Sequence, residues 1–311
     1  MKILVTGGAG FIGSHVVDLL VGEAHEVVVL DNLSSGAREN VNYRAKFYEE
    51  ELGNYSRIEE MFRNENFDVV YHLAAQIDVR KSVEEPLEDA KINILGTLNL
   101  LELCREFKIK HFIFSSTGGA IYGDEVETPT KEGAEKRPVS PYGCAKLAIE
   151  NYIHFYHKVH GLKFSILRYG NVYGPRQNFK GEAGVIAVFL NNMLNNKNPV
   201  IFGGVQTRDF VYVGDVARAN LLALKDDDCG IYNIGTGVEI DIIGIYGKLN
   251  RFFSYKFKAE YEEMRKGEQM KSCLDFSKIK KNLGWEPIIG LDDGLHKTYL
   301  WFLDRFNRHL N

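Results

Sequence analysis

Short apolar runs alternate with longer stretches of helical spacing through the first half of the chain. The runs are Lys2–Thr6, Glu26–Asp31, Lys46–Glu50, Asp68–Leu73, Lys110–Ser115 and Lys163–Arg168. Several are nearly continuous in Val, Ile, Leu, Phe and Tyr, the pattern of strands buried on both faces. Apolar positions recur at helical spacing over Ile12–Val21, Tyr55–Arg63, Leu87–Phe107 and Tyr142–His160. Strand–helix alternation of this kind predicts right-handed crossovers and an α/β fold built on a doubly wound parallel sheet.

Beyond Arg168 the texture changes. Gly170, Gly174-Pro175, Gly181, Gly184, Gly203-Gly204 and Gly214 punctuate shorter elements. The pattern predicts a nucleotide-binding domain over 1–172 and a smaller mixed α/β substrate-binding domain over 173–311. A strand at Asp209–Val213 and a helix after Asp215 are expected to return to the first domain, within a segment near 209–235. Helical patterns close the chain at Ile240–Phe253, Ser277–Leu283 and Asp292–Arg308.

Composition narrows the function. The chain has 311 residues and a formal charge of −4, with 45% hydrophobic and 26% charged residues. At roughly 100–200 residues per domain this is one large domain or two ordinary ones. A mildly acidic chain without a long basic run is a poor partner for nucleic acid or an anionic membrane. No apolar stretch is long enough to span a bilayer, and the N-terminus runs straight into a strand pattern with no signal-peptide features. Cys104, Cys144, Cys229 and Cys273 are scattered, without metal-ligand or C-x-x-C spacing. They read as reduced, buried thiols of a cytoplasmic protein, and no metal site is expected.

The candidate chemistry begins at Thr6-Gly7-Gly8-Ala9-Gly10-Phe11-Ile12-Gly13, between the first strand and the first helix. In that context the glycines permit a tight turn and a close backbone approach to a pyrophosphate, and the helix N-terminus offers free N–H groups and partial positive charge. The spacing Gly7-x-x-Gly10-x-x-Gly13 is one residue longer than G-x-G-x-x-G. Asp31 ends the second strand, followed by Asn32, at the place where a carboxylate accepts bonds from ribose hydroxyls and repels a 2′-phosphate. The nearest Arg downstream is Arg38. The reading is NAD, in a Rossmann-type site. Glu51 and Leu52 after the third strand are candidates for the adenine. Leu73-Ala74-Ala75-Gln76 after the fourth lets the chain pass close to a flat cofactor.

Tyr142 and Lys146 stand at i and i+4 behind Ser140-Pro141, on one face of a predicted helix. A phenol of pKa about 10 is a poor base at neutral pH. One cation at about 4–5 Å supplies roughly 3–4 kcal/mol toward ionising it, before burial takes some back. Lys146 and an oxidised nicotinamide are the expected cations, and Tyr142 the expected base. Ser115-Ser116-Thr117 ends the fifth strand, where ligands of open α/β sheets bind. Thr117, or failing that Ser116, is the expected third hydroxyl.

Together the glycine-rich turn, Asp31-Asn32-Leu33-Ser34-Ser35-Gly36, Ser115-Ser116-Thr117 and Tyr142-x-x-x-Lys146 resemble the extended short-chain dehydrogenase/reductases, and more narrowly the UDP-glucose 4-epimerase family. The resemblance runs essentially end to end. It implies tightly held NAD, a UDP-hexose substrate, and a homodimer built on two helices per subunit, here Leu87–Phe107 and Tyr142–His160. It adds Ser35 and Gly36 to the cofactor contacts, with Ser115 and with Tyr169 near the nicotinamide. It places Asn171, Val185, Phe202, Arg208, Arg265 and Glu268 against the sugar nucleotide, the arginines on diphosphate and ribose. Two departures stand out. Glu51 replaces a frequent Asp, and Thr117-Gly118-Gly119-Ala120 is one residue longer than the common form. Ser272, four residues after Glu268, replaces a bulky Tyr of members confined to the plain hexoses, so an N-acetyl group is expected to fit.

Related activities compete. A 4,6-dehydratase needs an acid/base pair after Thr117, and Gly118-Gly119 cannot move a proton. A UDP-glucuronate 4-epimerase or decarboxylase needs a cation for the C6 carboxylate, for which Arg80 or Arg176 are candidates. A non-catalytic NAD-binding regulator would have no need of Tyr142, Lys146 and a hydroxyl beside them.

Overall fold

The strands of the first half alternate strictly between two apolar layers. Ile3 and Val5 face one cluster while Leu4 faces the other, and Val27 and Val29 oppose Val28 and Leu30 in the same way. Each such side chain taken from water contributes roughly 1.5–3 kcal/mol, so both faces must be covered. The computed structural model describes every residue except 125, 180–183, 265–268 and 311.

The strands of the main sheet are β1 (Lys2–Thr6), β2 (Glu26–Asp31), β3 (Lys46–Glu49), β4 (Val69–His72), β5 (His111–Thr117) and β6 (Lys163–Tyr169), completed by Ile231–Ile234. With β7 (Asn171–Tyr173), β8 (Val200–Phe202) and β9 (Thr207–Tyr212) intervening, that last strand is β10. All seven run parallel in the order β10-β6-β5-β4-β1-β2-β3. The order reverses on either side of β1 and β4, which makes the sheet doubly wound and Rossmann-type.

Helices α1 (Phe11–Gly22), α2 (Tyr55–Glu65), α3 (Val79–Glu84), α4 (Pro86–Ala90), α5 (Gly96–Glu106), α6 (Gly118–Ile121) and α7 (Pro141–His160) connect the strands up to β6. After them come α8 (Val185–Leu194) and α9 (Val213–Ala223). The layer containing Val16, Val17 and Leu20 of α1 is completed by Val216, Ala217 and Ala219 of α9. The opposite layer packs Ile58 and Phe62 of α2, Leu100 and Leu103 of α5, and Ile149 and Ile153 of α7.

The remaining elements are β11 (Glu239–Asp241), α10 (Ile242–Asn250), β12 (Glu260–Glu262), β13 (Lys271–Ser272), α11 (Ser277–Leu283) and α12 (Leu291–Leu310). A second sheet forms around β9, which pairs antiparallel with β11 and parallel with both β13 and β7. Strands β8 and β12 form a separate parallel pair. These pieces enclose a third core of α8, α10 and α12 residues, among them Phe189, Ile245, Leu295 and Phe302.

Three expectations are corrected. Of the four thiols expected to be buried, Cys104 and Cys273 are, while Cys144 on α7 is exposed and Cys229 is partly exposed. The strand near Asp209–Val213 belongs to the second sheet; it is α9 and β10 that return to the first. The helix expected over Leu87–Phe107 is α4 and α5 joined by a π turn at Lys91–Leu95. Across that turn Asn93 donates from Nδ2 to Asp89 Oδ1 (2.9 Å), and such bulges recur at functional sites.

Candidate functional site

The glycine-rich turn folds as its spacing demands. Gly7 has φ +70°, and a Cβ there would stand 2.6 Å from the Ala74 nitrogen; one on Gly13 would stand 2.1 Å from the Gly7 carbonyl oxygen. Gly10 caps α1 without a side chain, and a Cβ on it would meet only the Gly7 carbonyl, at 3.1 Å. The space in front of Phe11, Ile12 and Gly13, whose N–H groups open the first turn, is thus kept free for an anion. Asp31 is buried and accepts from the backbone N–H groups of Ala9 (3.0 Å) and Leu33 (2.8 Å). Burial pushes its carboxyl above the ordinary range, opposed by those two bonds. A carboxylate has acceptor capacity beyond two bonds, enough for ribose hydroxyls. Gly36 closes this loop tightly, since a Cβ there would lie 2.8 Å from the Ala9 carbonyl carbon, while Asn32 and Ser35 stand exposed above it. Arg38 lies over the Phe47 ring at 4.2 Å. These residues fit a dinucleotide without a 2′-phosphate.

At the far side of the turn, Leu73 donates to the Thr6 carbonyl and Ala74 to Thr6 Oγ1. Gln76 is fixed at every polar atom. Its N–H donates to Asn93 Oδ1, its Nε2 to the Asp78 carbonyl and to Asp89 Oδ1, and its Oε1 accepts from Asp78 N–H. Leu52 is buried against Gly96, and Glu51 beside it is exposed.

Strand β5 gives its two neighbouring hydroxyls different partners. Ser116 is buried on the face toward α7 and donates to Glu150 Oε1 (2.6 Å). Thr117 Oγ1 accepts from Ala120 N–H (3.1 Å), capping α6 and leaving its own proton to give. The extra residue of the Gly118-Gly119 stretch is thereby taken up in a short helical turn. Gly118 is packed shut by Leu274, whose Cδ1 would lie 2.4 Å from an added Cβ.

Helix α7 starts at Pro141 with Ser140 Oγ accepting from Gly143 N–H (3.2 Å), and the Tyr142 N–H donates to Ser82 Oγ on α3 (3.3 Å). One turn on, Lys146 is buried. Its Nζ donates to the Ser115 carbonyl (2.8 Å), 4.7 Å from the Phe114 ring centroid and 5.8 Å from that of Tyr142. Burial brings the Lys146 ammonium down to about 8, with Asp89 and Glu150 opposing. The expected acidification of Tyr142 is not produced by Lys146: burial, reinforced by the Asp89 carboxylate, pushes the phenol above its ordinary value.

Tyr169 is buried in a chain of hydroxyl and amide groups, 2.9 Å from Ser115 Oγ and bonded to the Asn220 amide. Burial raises its phenol to about 12. Three side chains converge on the space above Gly119. A Cβ there would lie 3.8 Å from Ser272 Oγ, 3.9 Å from Asn171 Oδ1 and 3.9 Å from Thr117 Oγ1. Ser272 is buried and sits opposite Arg208 in the β13–β9 register. Arg208 donates to the Thr207 carbonyl (2.8 Å). Val185 opens α8 and Phe202 ends β8. Arg265 and Glu268 lie outside the described residues.

Several contributors escaped the sequence reading. Ser82 holds the Tyr142 backbone, Asp89 and Asn93 hold Gln76, and Arg168 secures Glu150 with its Nε at 2.9 Å. Asp89, Asn93 and Arg168 lie within predicted elements, where polar residues inside apolar patterns were the available signal. Among the described residues no group of acidic, His or Cys side chains is arranged to hold a metal, and no helix is long and apolar enough to cross a membrane.

The NAD dependent epimerase/dehydratase family matches residues 3–235. A relative from Methanocaldococcus jannaschii, described as a putative UDP-glucose 4-epimerase, is 46% identical over 300 residues, spanning 96% of this chain and 97% of that one. The crystal structure of a Thermotoga maritima UDP-glucose 4-epimerase with UDP-glucose superposes with a TM-score of 0.96 at 49% identity, over 98% of this chain and 99% of the other. A Thermus thermophilus UDP-glucose 4-epimerase in complex with NAD gives a TM-score of 0.92 at 42% identity, over 97% and 99%.

Proposed function

Since the chain belongs to the NAD-dependent epimerase/dehydratase family, we propose that it inverts C4 of a UDP-hexose through a 4-keto sugar, with NAD retained on the glycine-rich turn. The observation that supports this reading is at the end of β5, where buried Lys146 is bonded to the Ser115 carbonyl and stands 5.8 Å from the Tyr142 ring, while Thr117 Oγ1 shares the space above Gly119 with Asn171 and Ser272. When bound, NAD supplies a hydride acceptor that serves as donor in the return step.

Tyr142 takes the proton of the sugar 4-hydroxyl. Thr117 donates a hydrogen bond to the same oxygen and holds it as its charge develops. Lys146, tied to the Ser115 carbonyl, offsets the phenolate. Arg208 engages the diphosphate, and the Asn171 amide orients the sugar. With the diphosphate held, the keto sugar turns over in the pocket, and Tyr142 returns the proton to the oxygen of inverted C4. Positioning supplies much of the rate, and proton transfer by Tyr142 adds about 10²–10⁴-fold.

Ser272 extends the substrate range to UDP-N-acetylglucosamine and its C4 epimer, because the side chain beside Asn171 is short. A uronate-specific activity has less support. Arg176 pairs with Asp18 on α1 (2.7 Å). Dehydration lacks its proton carriers at Gly118-Gly119.

The enzyme works as a homodimer through α4–α5 and α7. Leu87 and Leu95 are 87% and 56% exposed, and Tyr152, Phe155 and Val159 of α7 are 42%, 48% and 60% exposed. Ala148, Asn151, Tyr152 and Phe155 line a shallow apolar cleft on that face.

The test is direct. The purified enzyme is incubated with UDP-galactose, UDP-N-acetylgalactosamine and UDP-glucuronate separately, and the products are resolved chromatographically. UDP-glucose and UDP-N-acetylglucosamine are expected. No turnover of the first two sugars sinks the reading, and turnover of the uronate alone replaces it.

A further inference from the structure

The backbone leaving β4 passes so near the glycine-rich turn that a Cβ on Gly7 would stand 2.6 Å from the Ala74 nitrogen. A path of buried hydrogen bonds, unused by the proposed chemistry, runs behind this approach. The Ala74 N–H donates to Thr6 Oγ1 (3.2 Å), and Thr6 Oγ1 lies 2.7 Å from His72 Nδ1. On the other side of the ring, His72 Nε2 lies 2.8 Å from Thr97 Oγ1, which donates to the Asn93 carbonyl (2.7 Å). Asn93 closes the path. Its Oδ1 accepts from the Gln76 N–H and its Nδ2 donates to the Gln76 carbonyl, both at 2.9 Å. The bonds therefore make a closed loop through β1, β4, α5 and the π turn, with Ala74-Ala75-Gln76 as its remaining side. Thr6, His72, Asn93 and Thr97 are all buried.

The direction of each proton follows from the partners. A carbonyl only accepts, so Thr97 gives its one proton to Asn93, and its oxygen can take only a donor from His72. Nε2 therefore carries the ring proton. Thr6 Oγ1 already accepts from Ala74, and its own proton is directed to an unprotonated Nδ1. Burial also holds the imidazole down, at about 3, which leaves it neutral. Stacking on Phe114, with ring centroids 5.7 Å apart, fixes the plane of the ring.

We propose that His72 is a positioning residue for the dinucleotide: through Thr6 it fixes the Ala74 N–H beside the glycine-rich turn, and through Thr97 it ties that segment to the π turn. This rests on NAD being held at the glycine-rich turn. Strands β1 and β4 are the pair at which the sheet order reverses, where open α/β sheets take their ligands. Residues 74–76 leave the sheet there, and the loop of bonds sets their course. A histidine that only filled the core would need neither hydroxyl. Thr97 is buried on α5, out of reach of any ligand, so cutting the path at Thr97 alters the constraint on Ala74 and no surface the cofactor touches.

The experiment measures NAD affinity by calorimetry on the full chain stripped of cofactor, well below its melting temperature. Wild type is compared with Thr97→Val, Thr97→Ser and His72→Phe. Thr97→Val keeps the shape and deletes the hydroxyl, and is expected to weaken NAD about tenfold, the factor of one ordinary hydrogen bond. Thr97→Ser keeps the hydroxyl and is expected to bind as wild type does. His72→Phe opens the path on both sides of the ring and is expected to cost more than tenfold; if it does not fold, the Thr97 pair decides. Nitrogen-15 spectra of the wild type, which need no variant, are expected to show the His72 proton on Nε2 and none on Nδ1. A purely structural role would lower the melting temperature of the cofactor-free variants and leave the affinity of the folded chains unchanged. Wild-type affinity in folded Thr97→Val, a Thr97→Ser as weak as the valine variant, or a proton found on Nδ1 overturns the inference. Wild type that binds no NAD overturns the cofactor reading beneath it, and wild type that binds NAD but does not convert UDP-galactose tells against the epimerase reading alone.

Discussion

Ser116 donates its hydroxyl to Glu150 at 2.6 Å, while the hydroxyl of its neighbour Thr117 accepts from the Ala120 N–H at 3.1 Å. Strand alternation gives two adjacent hydroxyls unlike partners. Thr117→Val is expected to lower kcat by about 10²–10³-fold with little effect on UDP binding, the cost of one donor to a developing oxyanion. Ser116→Ala is expected to leave kcat close to wild type and to cost about 1 kcal/mol of stability. Steady-state kinetics and thermal melts on the two variants check both statements, and the reverse pattern would exchange the assignments.

Tyr142→Phe keeps the ring and removes the proton carrier. Turnover should fall by at least about 10²-fold, while NAD retention and UDP affinity stay near wild type, as read by cofactor absorbance and calorimetry. Lys146→Met fills similar volume without charge. Its loss of activity should not be recovered at high pH, because the missing group is a cation and not a base.

Ser272 is predicted to govern substrate size. Ser272→Tyr should abolish turnover of the N-acetylated sugar nucleotides while the plain hexoses are still converted, measured as the ratio of the two kcat/KM values. A variant that loses both or neither would remove Ser272 from the pocket wall.

Stability should decline in acid for a reason separate from the site. His72 and His111 are buried neutral, at about 3 and about 4 against an ordinary 6.5. Between those values the unfolded chain binds protons that the native state refuses, so stability falls as the pH drops from 6.5. By pH 5 each imidazole has removed about 2 kcal/mol. His111→Gln, still able to reach Ser165, should remove roughly half of the pair's contribution, as read from denaturant midpoints at pH 7 and pH 5. An unchanged pH slope would show that these imidazoles are not the titrating groups.

Much of the central sheet was visible in the chain because strands buried on both faces read as unbroken apolar runs. Strand β1 at Lys2–Thr6 and β2 at Glu26–Asp31 match their expected bounds for that reason. Short strands of the second sheet were not visible. Strand β13 has only Lys271 and Ser272, too few for any period to register, and its existence depends on β9 lying beside it. The π turn at Lys91–Leu95 likewise falls within an intact helical pattern. The glycine-rich turn and the Tyr142–Lys146 pair were legible because their partners are local in sequence. The link from Asp89 to Gln76 was not, since nothing in the spacing of thirteen residues says that a carboxylate will be folded back onto an amide.

Strand β9 draws its neighbours from three distant stretches, at residues 171–173, 239–241 and 271–272. Synthesis on the ribosome delivers the nucleotide cradle early and this junction late. A nascent chain released from the exit tunnel as far as residue 230 has neither β10 to finish the edge of the main sheet nor Ser272 to pair beside Arg208. The stretch that carries Ser272 is therefore the last of the three to be made, and the second sheet closes on its far strand only when nearly the whole chain is in place.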